Sequence, residues 1–436
     1  MVCHHNCTTE NPTKDPPPRA NHAKGAAENP ATARVVWTLT VCTALALVGD
    51  ATLYTVLPSH YAAVGVTAVQ VGWLLSINRL VRLPLNVLSG WLSRRMGPKL
   101  PYIAGLVAGT LSTLGYGLSR GFWPLLFWRA LWGVGWALLV VAAYAMVLDV
   151  STEQRRGRFT GIYTSFSYFG GAVGALLGGI WVDAWDFSRA MLALGLLTSL
   201  GFLGALTLPW TRRKRPPTQI PMVPLRERIG NWIDTLSGVD NRFWLIWGLN
   251  FAHRFFFAGV FYSTLGYYLS QSLGQRVSVA GTVVGIASLT AILLFLRNLI
   301  TILAGPGLGY LSDHLGDRTR VLLLGEVLGA MGLGCFALRG NLWLIGAGVV
   351  LTAIAYGVVP PMLVSWMGDM TRRGNRSGMV SGYQTMGDLG SGLGPLFAYP
   401  LMSLLGRRPV YAISALFLAL TIPFILRERR RSTASP

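Results

Sequence analysis

Twelve long apolar runs dominate this chain, and they leave few folds open to it. A bilayer core about 30 Å thick is crossed by a helix of about 20 mostly apolar residues. Runs of that kind fall at roughly 35–57, 68–92, 100–118, 122–148, 159–181, 189–209, 243–269, 278–311, 320–338, 342–367, 378–404 and 409–426. Hydrophobic residues make up 52% of the 436 and charged residues only 12%. That balance excludes a disordered chain, a secreted disulfide scaffold and an ordinary soluble enzyme. The first 33 residues are polar, include Pro16, Pro17 and Pro18, and read as a flexible tail without a signal-type apolar core. Cys3, His4, His5 and Cys7 lie in that tail with no folded frame to orient metal ligands, so no metal or cofactor is expected. No Walker-type loop is present, which argues against ATP drive.

The net charge of +20 would suggest nucleic acid in a soluble domain. Its placement gives a different reading. When the loops are assigned alternately to the two sides, 26 of the 37 Lys+Arg fall on the side of the termini and 6 on the other. Basic residues gather on the cytoplasmic side of membrane proteins, so both termini are expected inside a cell membrane, with no nucleic-acid partner. The remaining five, Arg79, Arg82, Arg129, Arg254 and Arg297, fall within spans.

The two halves of the chain echo each other. Gly90-Trp-Leu-Ser-Arg94-Arg95-Met-Gly97-Pro-Lys99 is matched by Gly309-Tyr-Leu-Ser-Asp313-His314-Leu-Gly316-Asp-Arg318, at an offset of 219 residues. Asn78-Arg79 is matched by Arg297-Asn298, and the glycines of span five by Gly390 and Gly394 of span eleven, at nearly the same offset. Such repeats, with a central site between them, are the architecture of secondary transporters. The expected organisation is a cytoplasmic tail (1–33), a six-helix bundle (34–209), a linker (210–242), a second bundle (243–427) and a basic tail (428–436). The linker carries Leu225, Ile229, Trp232, Ile233 and Leu236 at the spacing of an amphipathic surface helix.

On these motifs the chain resembles the major facilitator superfamily. The resemblance implies an all-α membrane protein of twelve transmembrane helices in two pseudo-symmetric six-helix bundles. It also implies gating loops built from Gly90, Arg94, Arg95, Gly97, Lys99, Gly309, Asp313, Gly316 and Arg318. The family's loop aspartate is kept as Asp313, whereas Arg94 stands in its place in the first half. Arg129-x-x-x-Gly133-x-Gly135 resembles a pattern of the drug:proton antiporters. Gly161, Gly170, Gly174, Gly178 and Gly179 resemble that branch's fifth-helix motif, with Ala175 in place of its proline. The alternative is that these glycines only pack helices. Asp50-Ala-Thr52, followed by Pro58, resembles the first-helix motif of some antiporters.

Ionisable groups in a bilayer are expensive and face a cavity or a partner. Helical rise puts Asp50, Arg129 and Arg79 at about 10–16 Å from one membrane edge, where one layer can hold all three. Asp50 is the expected proton-binding carboxylate with Arg129 as its partner; a permanent structural ion pair is the alternative. In the second half Asp388 is expected to pair with Arg297 or Arg254, beside the titratable His253. Glu326 is expected nearer the cytoplasmic loops and their charges, and Arg82 to snorkel to the rim. Cavity candidates by type and depth are Tyr54, Trp73, Asn78, Arg79, Trp136, Tyr168, Tyr262 and Gln384.

The expected function is proton-coupled export of a small amphipathic molecule or drug by alternating access, carried out by a monomer whose partners are that molecule, protons and the lipid bilayer. Proton-coupled uptake of an organic anion, and a transport-inactive receptor or scaffold, are the alternatives. No enzymatic site is expected.

Overall fold

The computed structural model describes residues 30–152, 155–209, 241–279, 281–315, 317–338, 342–370 and 376–434. Each apolar run becomes helical, except that the eighth opens on a hairpin and the last is divided between two helices. The first half comprises α1 (Pro30–His60), α2 (Ala68–Met96), α3 (Lys99–Leu118), α4 (Phe122–Val150), α5 (Arg156–Ala184) and α6 (Phe187–Leu206). In the second half α7 is one continuous run in three parts. Asn241–His253 and Tyr262–Leu273 are α-helical, and Arg254–Phe261 between them is a π-helix. Then come α8 (Ile286–Leu315), α9 (Arg318–Ala337), α10 (Leu342–Met370), α11 (Arg376–Leu405), α12 (Arg407–Ala419) and α13 (Ile422–Ala434). The proposed tail (1–29 of it), linker helix and Gly316 lie outside the described residues.

Local chemistry sets the boundaries. Thr67 and Gln70 form a reciprocal capping box at the start of α2, with bonds of 2.8 and 3.3 Å. The helix runs on until Gly97, whose φ of +82° suits glycine alone, and Pro98. This corrects the expected gating loop. Gly90, Arg94 and Arg95 lie on the last two turns of α2, because nothing before Gly97 breaks the helix. The matching Gly309 and Asp313 likewise lie within α8, and Arg318 opens α9. Lys99 is buried, and its ammonium donates to the carbonyls of Leu206 and Leu208, capping the end of α6. The expected start of span eight also changes. Residues Arg276–Val279 (β1) and Thr282–Gly285 (β2) form an antiparallel hairpin turning at Gly281, φ +83°. Val277, Val279, Thr282, Val283 and Val284 favour extended backbone, and helical periodicity alone did not register them.

The same packing recurs in both halves: α1 on α5 and α7 on α11, α2 on α4 and α8 on α10, α3 on α6 and α9 on α12. Aromatic cores form around Tyr102, Trp132 and Tyr163 in one half and Phe261, Phe336 and Tyr411 in the other. The halves meet through α2 with α11 and α5 with α8. At the end away from the termini the seam is tight. A Cβ on Gly72 would come within 2.6 Å of the Pro395 carbonyl, and one on Gly179 within 2.5 Å of the Ala291 Cβ. Asp183 accepts from the Ser288 amide in the first turn of α8 at 2.6 Å, and Gln275 donates to the Ser59 carbonyl at 3.3 Å. Toward the termini the seam loosens, and Tyr168 of α5 is 58% exposed there.

The C-terminal α13 is tied to its half by Arg242–Glu428 at 2.6 Å and by Arg429 to Asp317 at 3.0 Å. Asp317 also caps α9 through the Thr319 amide. Burial pushes the Asp317 carboxyl up, but bonds from Thr319 and Arg429 outweigh this and hold it below the ordinary value. A carboxylate depressed in the fold contributes stability above its unfolded pKa and loses it as pH falls through the folded value. Acidification below about pH 4 is therefore expected to weaken the Arg429 tie and loosen α13. Faster amide exchange in α13 at low pH, absent in Asp317→Asn, is the measurement.

Candidate functional site

The position of Asp50 is fixed by its neighbours on α1. A Cβ on Gly49 would meet Thr113 of α3, and Gly170, Gly174 and Gly178 of α5 leave space only for Ala44, Val48 and Thr52. The Thr52 hydroxyl donates to the Gly174 carbonyl at 3.1 Å. With α1 held on these two sides, Asp50 points toward α2 and α4. Gly133 of α4 closes on the Asn78 carbonyl of α2, where a Cβ would approach to 2.6 Å. One turn earlier on the same face, Arg129 then reaches both α2 and α1. Its Nε donates to the Leu74 carbonyl at 2.9 Å and its Nη1 to Asp50 Oδ1 at 2.5 Å. Gly135, on another face, seats α4 on Gly105 and Ala108 of α3. The Arg-x-x-x-Gly-x-Gly spacing is thus the spacing needed to bring one arginine into a three-helix junction.

Arg129 is fully buried, while the Asp50 side chain keeps 18% of its surface. Asn78 donates to Asp50 Oδ1 at 3.4 Å, and the Tyr54 hydroxyl donates to the Leu75 carbonyl at 2.8 Å. Arg79 Nε donates to that hydroxyl at 3.1 Å. Both Arg79 and Arg129 stand over the Tyr54 ring, at 5.4 and 5.1 Å. Asp50, Tyr54, Asn78, Arg79 and Arg129 therefore form one polar network within the first half.

The second half is arranged around Tyr356 of α10. Arg297 of α8 stands 4.4 Å from its ring centre, with Tyr262 at 5.5 Å and Phe261 at 5.7 Å. His253 stacks on the same ring at 5.4 Å and is fully buried, with both ring nitrogens lacking a hydrogen-bond partner. Tyr262 reaches Tyr54 across the seam, ring centres 5.7 Å apart, which joins the two networks.

Asp388 departs from the expected pairing. Its Oδ1 accepts from Arg82 Nη2 of the opposite half at 3.3 Å, and neither Arg297 nor Arg254 forms an ion pair with it. Arg82 therefore does not snorkel. It lies three residues from Arg79, on nearly the same face of α2, and α11 supplies a partner closer than the rim. Arg254 lies against α11 at Gly387, where a Cβ would sit 3.4 Å from its Nε. Asp388→Asn and Arg82→Gln are each expected to lower Tm, and the double variant by less than their sum. A coupling of about 1 kcal/mol in that cycle would match a partly exposed pair.

Other placements differ from expectation. Trp136 packs on Trp132 inside the first-half core. Trp73 is 50% exposed beside the tight end of the seam, on a different face of α2 from Arg79. Tyr168, by contrast, stands on α5 within electrostatic range of Arg82, Arg254 and Tyr356, and the exposed Gln384 lies one turn before Asp388 on α11. Gly161 meets nothing within 4 Å, and Gly179 faces α8 rather than α1. Of the five antiporter-like glycines, then, three seat α1, one serves the seam and one faces open space. Glu326 is 1% exposed with neither oxygen bonded. It pairs with no loop charge, and the neighbouring Thr421 gives its hydroxyl to the Leu418 carbonyl at 2.6 Å. Sequence reasoning missed Tyr356, which is one aromatic among many in an apolar run.

The family model described as Major Facilitator Superfamily matches residues 39–300 and 254–436. An uncharacterized MFS-type transporter of Enterobacter sp. (strain 638) is 26% identical over 360 residues, 81% of this chain and 85% of the relative. The multidrug resistance protein MdtG of Citrobacter koseri is 24% identical over 390 residues, 87% of this chain and 91% of the relative. Among solved structures, a bacterial homolog to the human lysosomal transporter Spinster, inward-facing and unoccupied, superposes with a TM-score of 0.72 at 16% identity. That alignment covers 92% of this chain and 98% of the other.

Proposed function

The chain belongs to the major facilitator superfamily and is a multi-pass membrane secondary transporter rather than an enzyme, and we propose that it exports a small amphipathic molecule in exchange for protons. The observation that carries the proposal is the Asp50–Arg129 pair, in which the arginine is sealed and the carboxylate keeps part of its surface open. Protonation of Asp50 neutralises the carboxylate and turns its charge-assisted bond from Arg129 into an ordinary hydrogen bond, leaving the buried guanidinium without a counter-charge. The two protonation states therefore favour different arrangements of α1, α2 and α4. Export is supported by the fifth-helix glycine spacing and by the name of the MdtG relative.

In this reading the halves rock about the buried charges. The tight end of the seam is the outer gate, and the looser end opens toward the cytoplasm. The basic bias toward the termini supports that orientation in a cell membrane, with 1–33 and 428–436 as cytoplasmic tails and 210–242 as the linker between bundles. The last turns of α2 and α8, with Arg94 and Arg95, and the start of α9, with Arg318, lie where an inner gate would close.

The test is transport in proteoliposomes under an imposed pH gradient. Cargo addition is expected to move protons against the cargo, and reversing the gradient to reverse the cargo flux. Cargo flux that ignores the gradient would overturn proton coupling, and binding without any flux would favour a receptor.

A further inference from the structure

We propose that Arg79, Arg254 and Arg297 form the substrate's anion site, and that the cargo is an organic monoanion with an aromatic or apolar body. This rests on the transport reading above and names the chemical class of its cargo. The charge balance at the seam motivates it. Asp50 is matched by Arg129 and Asp388 by Arg82. Among the described residues, no carboxylate lies within ion-pair distance of Arg79, Arg254 or Arg297. Three cations from α2, the π-turn of α7 and α8 lie within electrostatic range of one side chain, Tyr356, with Asp388 the single carboxylate there and already paired to Arg82.

Unmatched cations inside a membrane are expensive. Arg79 bonds to Tyr54 and stands over its ring. Arg297 is 97% buried, and its ring contacts satisfy the face of the guanidinium but not its edge. Its Nη1 reaches only Asn298, at a long 3.5 Å, while its Nε and Nη2 lack any acceptor. The Nε of Arg254 lacks one too. These are in-plane N–H donors, the geometry that binds a carboxylate with two parallel bonds. A carboxylate would supply both the missing acceptors and a missing negative charge. The surrounding rings of Tyr54, Tyr262, Phe261 and Tyr356 would hold an apolar body. The two nearby carboxylates, Asp388 and Asp50, are engaged by Arg82 and Arg129, and His253 presents its face to Tyr356, so none of the three takes the anion's place.

The test is calorimetric titration of the full-length protein with 2-naphthoate and with 2-naphthylmethylammonium, matched in body and opposite in charge. Naphthoate is expected to bind and the ammonium not. Arg297→Gln and Arg254→Gln are each expected to weaken naphthoate about ten- to a hundredfold, the loss of a charge-assisted bond. Arg297→Lys should recover part of the affinity, and it keeps the test valid if the Gln variant fails to fold. Equal or tighter binding of the ammonium would overturn the proposal. So would the absence of naphthoate binding, or naphthoate affinity unchanged in both Gln variants with unaltered Tm. Naphthoate binding that depends on Arg297 without proton-driven flux would sustain the anion site and sink proton coupling. Proton-driven flux of the ammonium without naphthoate binding would do the reverse.

Discussion

Replacing Asp50 by Asn is expected to abolish proton-driven accumulation of cargo while leaving cargo exchange at zero gradient measurable. Asn cannot carry the titrating proton, but its amide oxygen can still accept one bond from Arg129. The change also strips a fully buried guanidinium of its counter-charge. Breaking a buried pair from one side costs about 3–5 kcal/mol, so a lower Tm is expected as well. Stability and coupling are separated by the double variant Asp50→Asn/Arg129→Gln, which removes the orphaned charge. It is expected to recover most of the lost Tm and none of the accumulation. If Asp50→Asn accumulates cargo like the parent, the pair is a permanent structural tie and the proton is carried elsewhere.

Gly179→Val is expected to hold the seam open at the end away from the termini. Any Cβ at that position overlaps Ala291 Cβ, 2.5 Å away, and the Ala287 carbonyl, 2.7 Å away. Both belong to the opposite half, so a relative movement of α5 and α8 relieves the overlap without repacking either core. Overpacking of this kind costs about 1–3 kcal/mol. Placed on one state of a two-state equilibrium, it shifts the ratio about five- to a hundred-and-fiftyfold. Spin labels at Ala184 and Val283, one on each half near this end, would report it as a longer distance in the variant. Transport should fall in parallel, because one of the two states becomes rare. An unchanged distance with a lowered Tm would mean that the clash is absorbed within one half.

Much of this protein was legible before any coordinates. Bilayer thickness sets helix length, so hydropathy alone placed the helices within a few residues, apart from the start of the eighth run and the break at Leu420–Thr421 in the last. The repeat offset gave the two bundles, because duplicated packing keeps its glycines: Gly174 seats α1 on α5 as Gly390 and Gly394 seat α7 on α11. The Asp50–Arg129 contact was readable as a shared depth, since helical rise converts residue number into height.

What the sequence could not give was rotation and partner. Depth put Asp388 level with Arg254 and Arg297, and only the packing of α11 on α2 gave it Arg82 instead. The π-turn at Arg254, the hairpin at Arg276–Gly285 and the convergence on Tyr356 carried no periodic signal. They arise from contacts between segments far apart in the chain. Periodicity along one chain determines how long each helix is and which membrane layer its charges occupy. Which charge meets which is decided by how neighbouring helices turn and close on one another, through side-chain volumes contributed by both, and for this only the tertiary structure suffices.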